Sequence, residues 1–159
     1  MKKKIVISIA VILVLILGVI VGITIVNKNK VKPEDILEKY IEKINEQNYK
    51  EMYQMLTEEA KKQISEEDFI KRNENIYEGI EMSNMEIKIT NIEKEKDATS
   101  KISYTEKINT AAGKIEFSNI VRLSKNKEKG YLINWNSSLI FPQLGTNDKV
   151  RIKTVSAKR

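Results

Sequence analysis

The chain has 159 residues, with 28 Lys and Arg against 22 Asp and Glu, a net charge of +6, and neither His nor Cys. That length allows one modest domain. The missing imidazoles and thiols exclude Ser-His-Asp and Cys-His catalysis, Cys/His zinc sites and disulfides. Carboxylate, Lys, Tyr or Ser chemistry is left, or none, and none is the default expectation.

Lys2-Lys3-Lys4 opens the chain, and Ile5 to Val26 comes next as 22 residues without a charge. As a helix this run reaches about 33 Å, enough for a hydrocarbon core roughly 30 Å thick. A cleavable signal has a shorter apolar region and a small-x-small cleavage site. Here the run ends in Asn27-Lys28-Asn29-Lys30. Residues 5–26 are therefore expected to be an uncleaved single-pass anchor in the cell membrane. Three lysines stand on each side of it. A short basic N-terminus stays in the cytoplasm while long domains translocate largely regardless of charge. The tail 1–4 is placed inside, with 27–159 extracytoplasmic beyond a 27–32 linker.

The segment 27–159 carries 25 basic and 22 acidic side chains. Lysine alternates with glutamate in it, as in Glu93-Lys94-Glu95-Lys96. That pattern reads as a solvated surface without a basic stripe, so nucleic acid is not expected as a partner.

Lys32-Pro33-Glu34-Asp35 starts a helix, with proline at the first position and carboxylates where the dipole favours them. Ile36, Leu37, Tyr40, Ile41 and Ile44 form its apolar stripe at period 3.6. Tyr49, Met52, Tyr53 and Leu56 make a shorter second stripe. Ser65 and Asp68 open a third helix as a capping box, with Phe69, Ile70, Ile76, Tyr77 and Ile80 on its apolar face and Asn73 among them.

The period then changes to two. Met85, Ile87 and Ile89 alternate with polar residues, and Asn91-Ile92 breaks the alternation, as at a bulge or a strand end. Ser100, Ile102, Tyr104, Glu106 and Ile108 make a second set, and Thr110-Ala111-Ala112-Gly113 a turn. Ile115, Phe117, Asn119, Val121 and Leu123 make a third set. The charged tip Lys125–Gly130 comes next, and Tyr131, Ile133 and Trp135 lead a fourth strand that Pro142 ends. Helices followed by antiparallel strands give an α+β fold with the helices on one face of the sheet.

Few residues suggest chemistry. Ser124-Lys125-Asn126-Lys127 fits the Ser-x-x-Lys nucleophile pattern, but it falls in a lysine-rich hairpin tip where no helix start can present the serine. Lys153-Thr154-Val155 lacks the glycine that pattern's partner motif needs. Glu106, on an otherwise apolar face, is either a pocket carboxylate or, more simply, a residue at a frayed sheet edge. Tyr104, Glu106 and Asn119 are the polar groups able to converge inside the fold. No cofactor or metal is expected.

The stretch Gly130-Tyr131-Leu132-Ile133-Asn134-Trp135-Asn136-Ser137-Ser138-Leu139-Ile140-Phe141-Pro142 is the most specific in the chain. It resembles the last strand of the nuclear transport factor 2-like N-terminal extension of class B penicillin-binding proteins of the methicillin-resistance type. The order of basic tail, anchor, three helices and curved antiparallel sheet resembles that family too. The resemblance implies a conical domain over 33–145 and makes Trp135, Ser138 and Pro142 structural residues of the family motif. It also implies that 146–159 begins the connection to a downstream domain. The family's transpeptidase motifs have no counterpart here, so no catalytic residue is carried over. The function implied by the resemblance is that of a non-catalytic, membrane-anchored pedestal for cell-wall synthesis, with peptidoglycan or cell-wall synthesis proteins as partners. The alternative is a free-standing small-ligand-binding or isomerase-like domain that uses the cone pocket.

Overall fold

Residues 31–146, Asp148 and Val150 are described by the computed structural model of the chain. The apolar run 5–26, its flanks and Lys153–Val155 lie outside them. Among the described residues no helix is long and apolar enough to cross a membrane.

Helix α1, Pro33–Asn45, begins where the Lys32 backbone N–H donates to Asp35 Oδ2 at 2.9 Å. It buries Leu37, Tyr40, Ile41 and Ile44. Helix α2, Tyr49–Gln54, is capped by Asn48, whose Oδ1 accepts from the Glu51 N–H, and it buries Tyr49, Met52 and Tyr53. Three helices were expected beyond the anchor, and the described residues hold a fourth. The short α3, Glu58–Gln63, starts at Thr57, whose hydroxyl accepts from the Ala60 N–H at 3.3 Å. Ala60 is the one side chain that α3 buries, so no stripe announces it. Helix α4, Glu66–Gly79, opens at Ser65. The Ser65 hydroxyl accepts from the Asp68 N–H and donates to the Asp68 carboxylate, a side-chain variant of the expected capping box.

Four antiparallel strands follow as a meander in the order β1-β2-β3-β4. They are β1, Asn84–Lys94; β2, Thr99–Thr110; β3, Gly113–Asn126; and β4, Gly130–Ile133. The β1–β2 register shifts between Ile89 and Asn91, where the alternation breaks. The β1–β2 turn closes with Thr99 N–H donating to Lys96 O, and its central residues Asp97 and Ala98 have φ of 59° and 58°. Those angles belong to a type I′ turn. The inner face of the sheet carries Met85, Ile102, Tyr104, Glu106, Ile108, Val121 and Leu123, all buried with the apolar faces of α1, α2 and α4.

The fourth strand ends two residues earlier than the alternation suggests. At Ile133 the free edge of β4 meets the chain between α2 and α3: Ile133 N–H donates to Met55 O at 2.9 Å and Thr57 N–H donates to Ile133 O at 3.0 Å. Leu56 and Ile133 thus form a parallel bridge. Trp135 lies beyond the strand, and a short 3-10 turn, Ser137–Leu139, comes after it. Pro142 does not end a ladder. It sits in the tight turn closed by Leu144 N–H to Phe141 O at 2.8 Å, where its fixed φ suits the second position.

Candidate functional site

Two places in the fold gather polar groups. The first is the sheet's inner face. Glu106 lies in the middle of β2, an internal strand, and is 1% exposed, so the frayed-edge reading does not hold. Tyr104 precedes it by one side-chain repeat on the same face, and Asn119 on β3 stands directly across from Tyr104. The three polar residues singled out from the sequence therefore share one face and are all buried.

Neither Glu106 oxygen has a hydrogen-bond partner among the described residues, and the same holds for Trp135 Nε1, Tyr49 Oη and Asn73 Oδ1. Burial pushes the Glu106 carboxyl up to about 8, with Asn119 pulling weakly the other way. The amide of Asn119 donates instead to Ser138 O at 3.0 Å, which ties β3 to the 3-10 turn. Burial raises the phenols of Tyr40, Tyr77 and Tyr104 well above their ordinary value, and the nearby Glu106 raises each further. A carboxyl buried among phenols is a neutral acid over much of the physiological range, able to donate as well as accept.

The second place is a groove of about 670 Å³ between the start of α4 and the chain beyond β4. Arg72 anchors it. Its guanidinium donates to Ser137 Oγ at 2.6 Å and to Thr146 O at 2.8 Å, joining α4 to the 3-10 turn and to the chain that follows it. Lys62, Lys71 and Asp68 line the rim, and Trp135 lies on the wall. Sequence reasoning missed Arg72. The only cue was an arginine in a chain with 24 lysines and four arginines.

Of the family-motif residues, Trp135 is 5% exposed and meets Phe69 edge to face. Ser138 is half-buried, its N–H and hydroxyl both directed at Asn136 Oδ1. Ser124 sits within β3, its hydroxyl 3.0 Å from Asn134 Oδ1, and Lys127 is exposed in the turn beyond. Among the described residues no cluster of carboxylates is arranged to hold a metal.

Residues 32–148 match the family described as MecA_N, the NTF2-like N-terminal transpeptidase domain. Over 134 residues the chain is 36% identical to "Penicillin-binding protein 3" of Bacillus subtilis (strain 168), covering 80% of this chain. The chain spans 20% of the length of that relative. The matched region is the N-terminal NTF2-like domain and not the transpeptidase domain. Two solved structures from Catenulispora acidiphila, one in complex with S-DNPA, align with a TM-score of 0.49 and 13% identity. They cover 63% of this chain and 82% and 84% of their own.

Proposed function

Because the chain belongs to the family of NTF2-like N-terminal transpeptidase domains, we propose that it is a non-catalytic, membrane-anchored pedestal outside the cytoplasmic membrane. It would serve a penicillin-binding protein in peptidoglycan synthesis and the response to β-lactams. The observation that carries this reading is the Arg72 tie. A spacer must transmit position, and the doubly bonded guanidinium fixes the departing chain at Thr146 to the body of the domain. The groove beside it offers polar and charged groups with one aromatic wall. Such a lining suits peptidoglycan or a protein of cell-wall synthesis.

Residues 5–26 would hold the pedestal in the bilayer, with 1–4 in the cytoplasm. The test is a lysine in the middle of the run. Leu15→Lys should cost about 2.5–3.5 kcal/mol of insertion and move the protein from carbonate-washed membranes into the soluble fraction. A parent protein found cut near Asn27 would overturn the anchor and leave a cleaved signal in its place.

One observation favours a second reading, a small-ligand or isomerase-like site inside the cone: the buried Glu106 carboxyl without a hydrogen-bond partner. A small molecule that raises the melting temperature of the parent chain, but not of Glu106→Gln, would support it.

A further inference from the structure

The β1–β2 and β3–β4 turns lie at the same end of the sheet, joined where the Lys125 N–H donates to Ala98 O at 3.2 Å. Lys94 and Lys96 lead into the first turn, and Lys125, Lys127 and Lys129 flank the second. All five are exposed, and none forms an ion pair among the described residues. Their acidic neighbours are engaged elsewhere. Glu93 pairs with Lys101 at 3.1 Å and Glu95 with Arg122 at 3.0 Å, both across the strands. Asp97 and Glu128 are the carboxylates of the two turns that no such pair neutralises. Lysine and glutamate that balance along the sequence thus leave a basic tip in the fold. The β2–β3 turn at the opposite end, Thr110–Gly113, carries no charge.

The chain enters the domain at this same end. Helix α1 finishes beside the start of β1, where Asn45 Oδ1 accepts the Met85 N–H at 2.7 Å and Asn45 Nδ2 donates to Met85 O at 2.9 Å. Going back along α1 from Asn45 to Glu38 follows β1 from Met85 to Ile87, so the head of α1 points toward the Lys94 end. Helix α2 returns the same way, and its Gln54 O accepts from Lys129 Nζ at 3.3 Å. At the head of α1, Lys32 Nζ lies 3.9 Å from Glu34, and Asp35 accepts the Lys32 N–H. Lys32 follows Val26, the last residue of the apolar run, by six positions, with Lys28 and Lys30 between them. Fully extended, that stretch reaches only about 20 Å. Ile92, 41% exposed, adds an apolar side chain two residues before Lys94.

We infer that the lysines of these two turns seat this end of the domain on the anionic phospholipid headgroups of the bilayer that holds residues 5–26. The inference rests on the reading of 5–26 as a membrane anchor. Ammonium groups without a carboxylate partner are free to meet lipid phosphates, and each basic residue near an anionic surface adds a small attraction. Such attraction fades beyond about 8 Å at physiological salt, so the tip has to lie against the headgroups to feel it. The short stretch between Val26 and Lys32 supplies that closeness, because a tethered weak contact acts at high effective concentration. Ile92 adds apolar area for the headgroup boundary. The domain then stands with its strands rising from the bilayer and the uncharged β2–β3 turn furthest from it.

The chain has no cysteine, so Glu128→Cys gives a single labelling site on the basic tip and Ala112→Cys one in the opposite turn, both at exposed positions. The test reconstitutes the full chain, with a fluorophore on that thiol, in vesicles that contain a nitroxide-headgroup lipid as quencher. In equimolar phosphatidylcholine and phosphatidylglycerol, quenching at position 128 should be about threefold or more stronger than in phosphatidylcholine alone. High salt should remove the difference, and quenching at position 112 should be weak in both lipids. Lys94→Gln, Lys96→Gln, Lys125→Gln and Lys127→Gln together should lower quenching at position 128 to its value in phosphatidylcholine. Equal quenching in the two lipids overturns the inference, and so does unchanged quenching in the fourfold variant or stronger quenching at position 112 than at 128. Failure of the anchor reads differently: the chain then does not float with phosphatidylcholine vesicles at all, which overturns the anchor and this inference with it.

Discussion

The Trp135 indole and the Phe69 ring pack edge to face, with ring centroids 5.1 Å apart and planes at 71°. Tyr53 packs on Phe69 from another side at 5.5 Å, so three rings from α2, α4 and the segment after β4 share one contact. Edge-to-face pairs add to the burial of the rings themselves. Trp135→Ala should therefore cost about 3–5 kcal/mol, as for a buried aromatic in a packed core. Melting within two or three degrees of the parent in thermal scans would show that the indole carries no such weight.

Glu106 makes stability depend on pH in an unusual direction. In the fold its carboxyl titrates at about 8, raised by burial from an ordinary 4.5. Between those values the folded chain retains a proton that the unfolded chain has released, so stability falls as pH rises. The loss begins above the ordinary carboxylate range and is complete once the pH has passed the folded value. Glu106→Gln cannot ionise and should remove this slope, leaving the variant more stable than the parent in mildly alkaline buffer. Melting temperatures of both proteins across that range are the measurement. Parallel curves would mean that Glu106 is ionised in the fold.

Ala98 adopts φ of 58°, a left-handed angle that costs a residue with a Cβ about 1–2 kcal/mol. Asp97 beside it, at 59°, carries a side chain that tolerates the conformation better. Ala98→Gly gives the Asp-Gly pair favoured in type I′ turns. It should raise stability by about 0.5–1 kcal/mol, net of the entropy glycine adds to the unfolded chain. Urea denaturation is sensitive enough to see this, and an unchanged or lower midpoint would count against the turn geometry.

The full chain should form no covalent adduct with a fluorescent penicillin. Acylation needs a serine whose proton a neighbouring base removes and donors that hold the oxyanion. The Ser124 hydroxyl is engaged with Asn134, and Lys127 lies in the solvent-facing turn. Labelling on a gel that vanishes in Ser124→Ala would refute the non-enzymatic reading.

How much of the fold was legible in the sequence depended on the range of each interaction. The stripes of α1 and α4 and the alternation of β2 and β3 are local patterns, and the fold keeps them. The bulge at Asn91 is equally local. By contrast, α3 has six residues and buries only Ala60, so no period exists to detect. The early end of β4 is set by Met55 and Thr57, which the chain order alone does not bring near Ile133. In the candidate site, Tyr104, Glu106 and Asn119 were readable because alternation puts them on one face. Arg72 was not, since its partners lie 65 and 74 residues away.

The bridge between Leu56 and Ile133 also governs how the domain comes apart. It sews the helical half to the last strand with main-chain bonds on both sides of one residue. Opening either half must break bonds that belong to the other, so the helices cannot melt as an independent foldon. Refolding inherits the same constraint. The bridge joins early and late parts of the sequence, a large loop must close before it forms, and loop-closure entropy slows that step. The amides of Thr57 and Ile133 should then exchange with solvent only through global unfolding, and regain protection together during refolding.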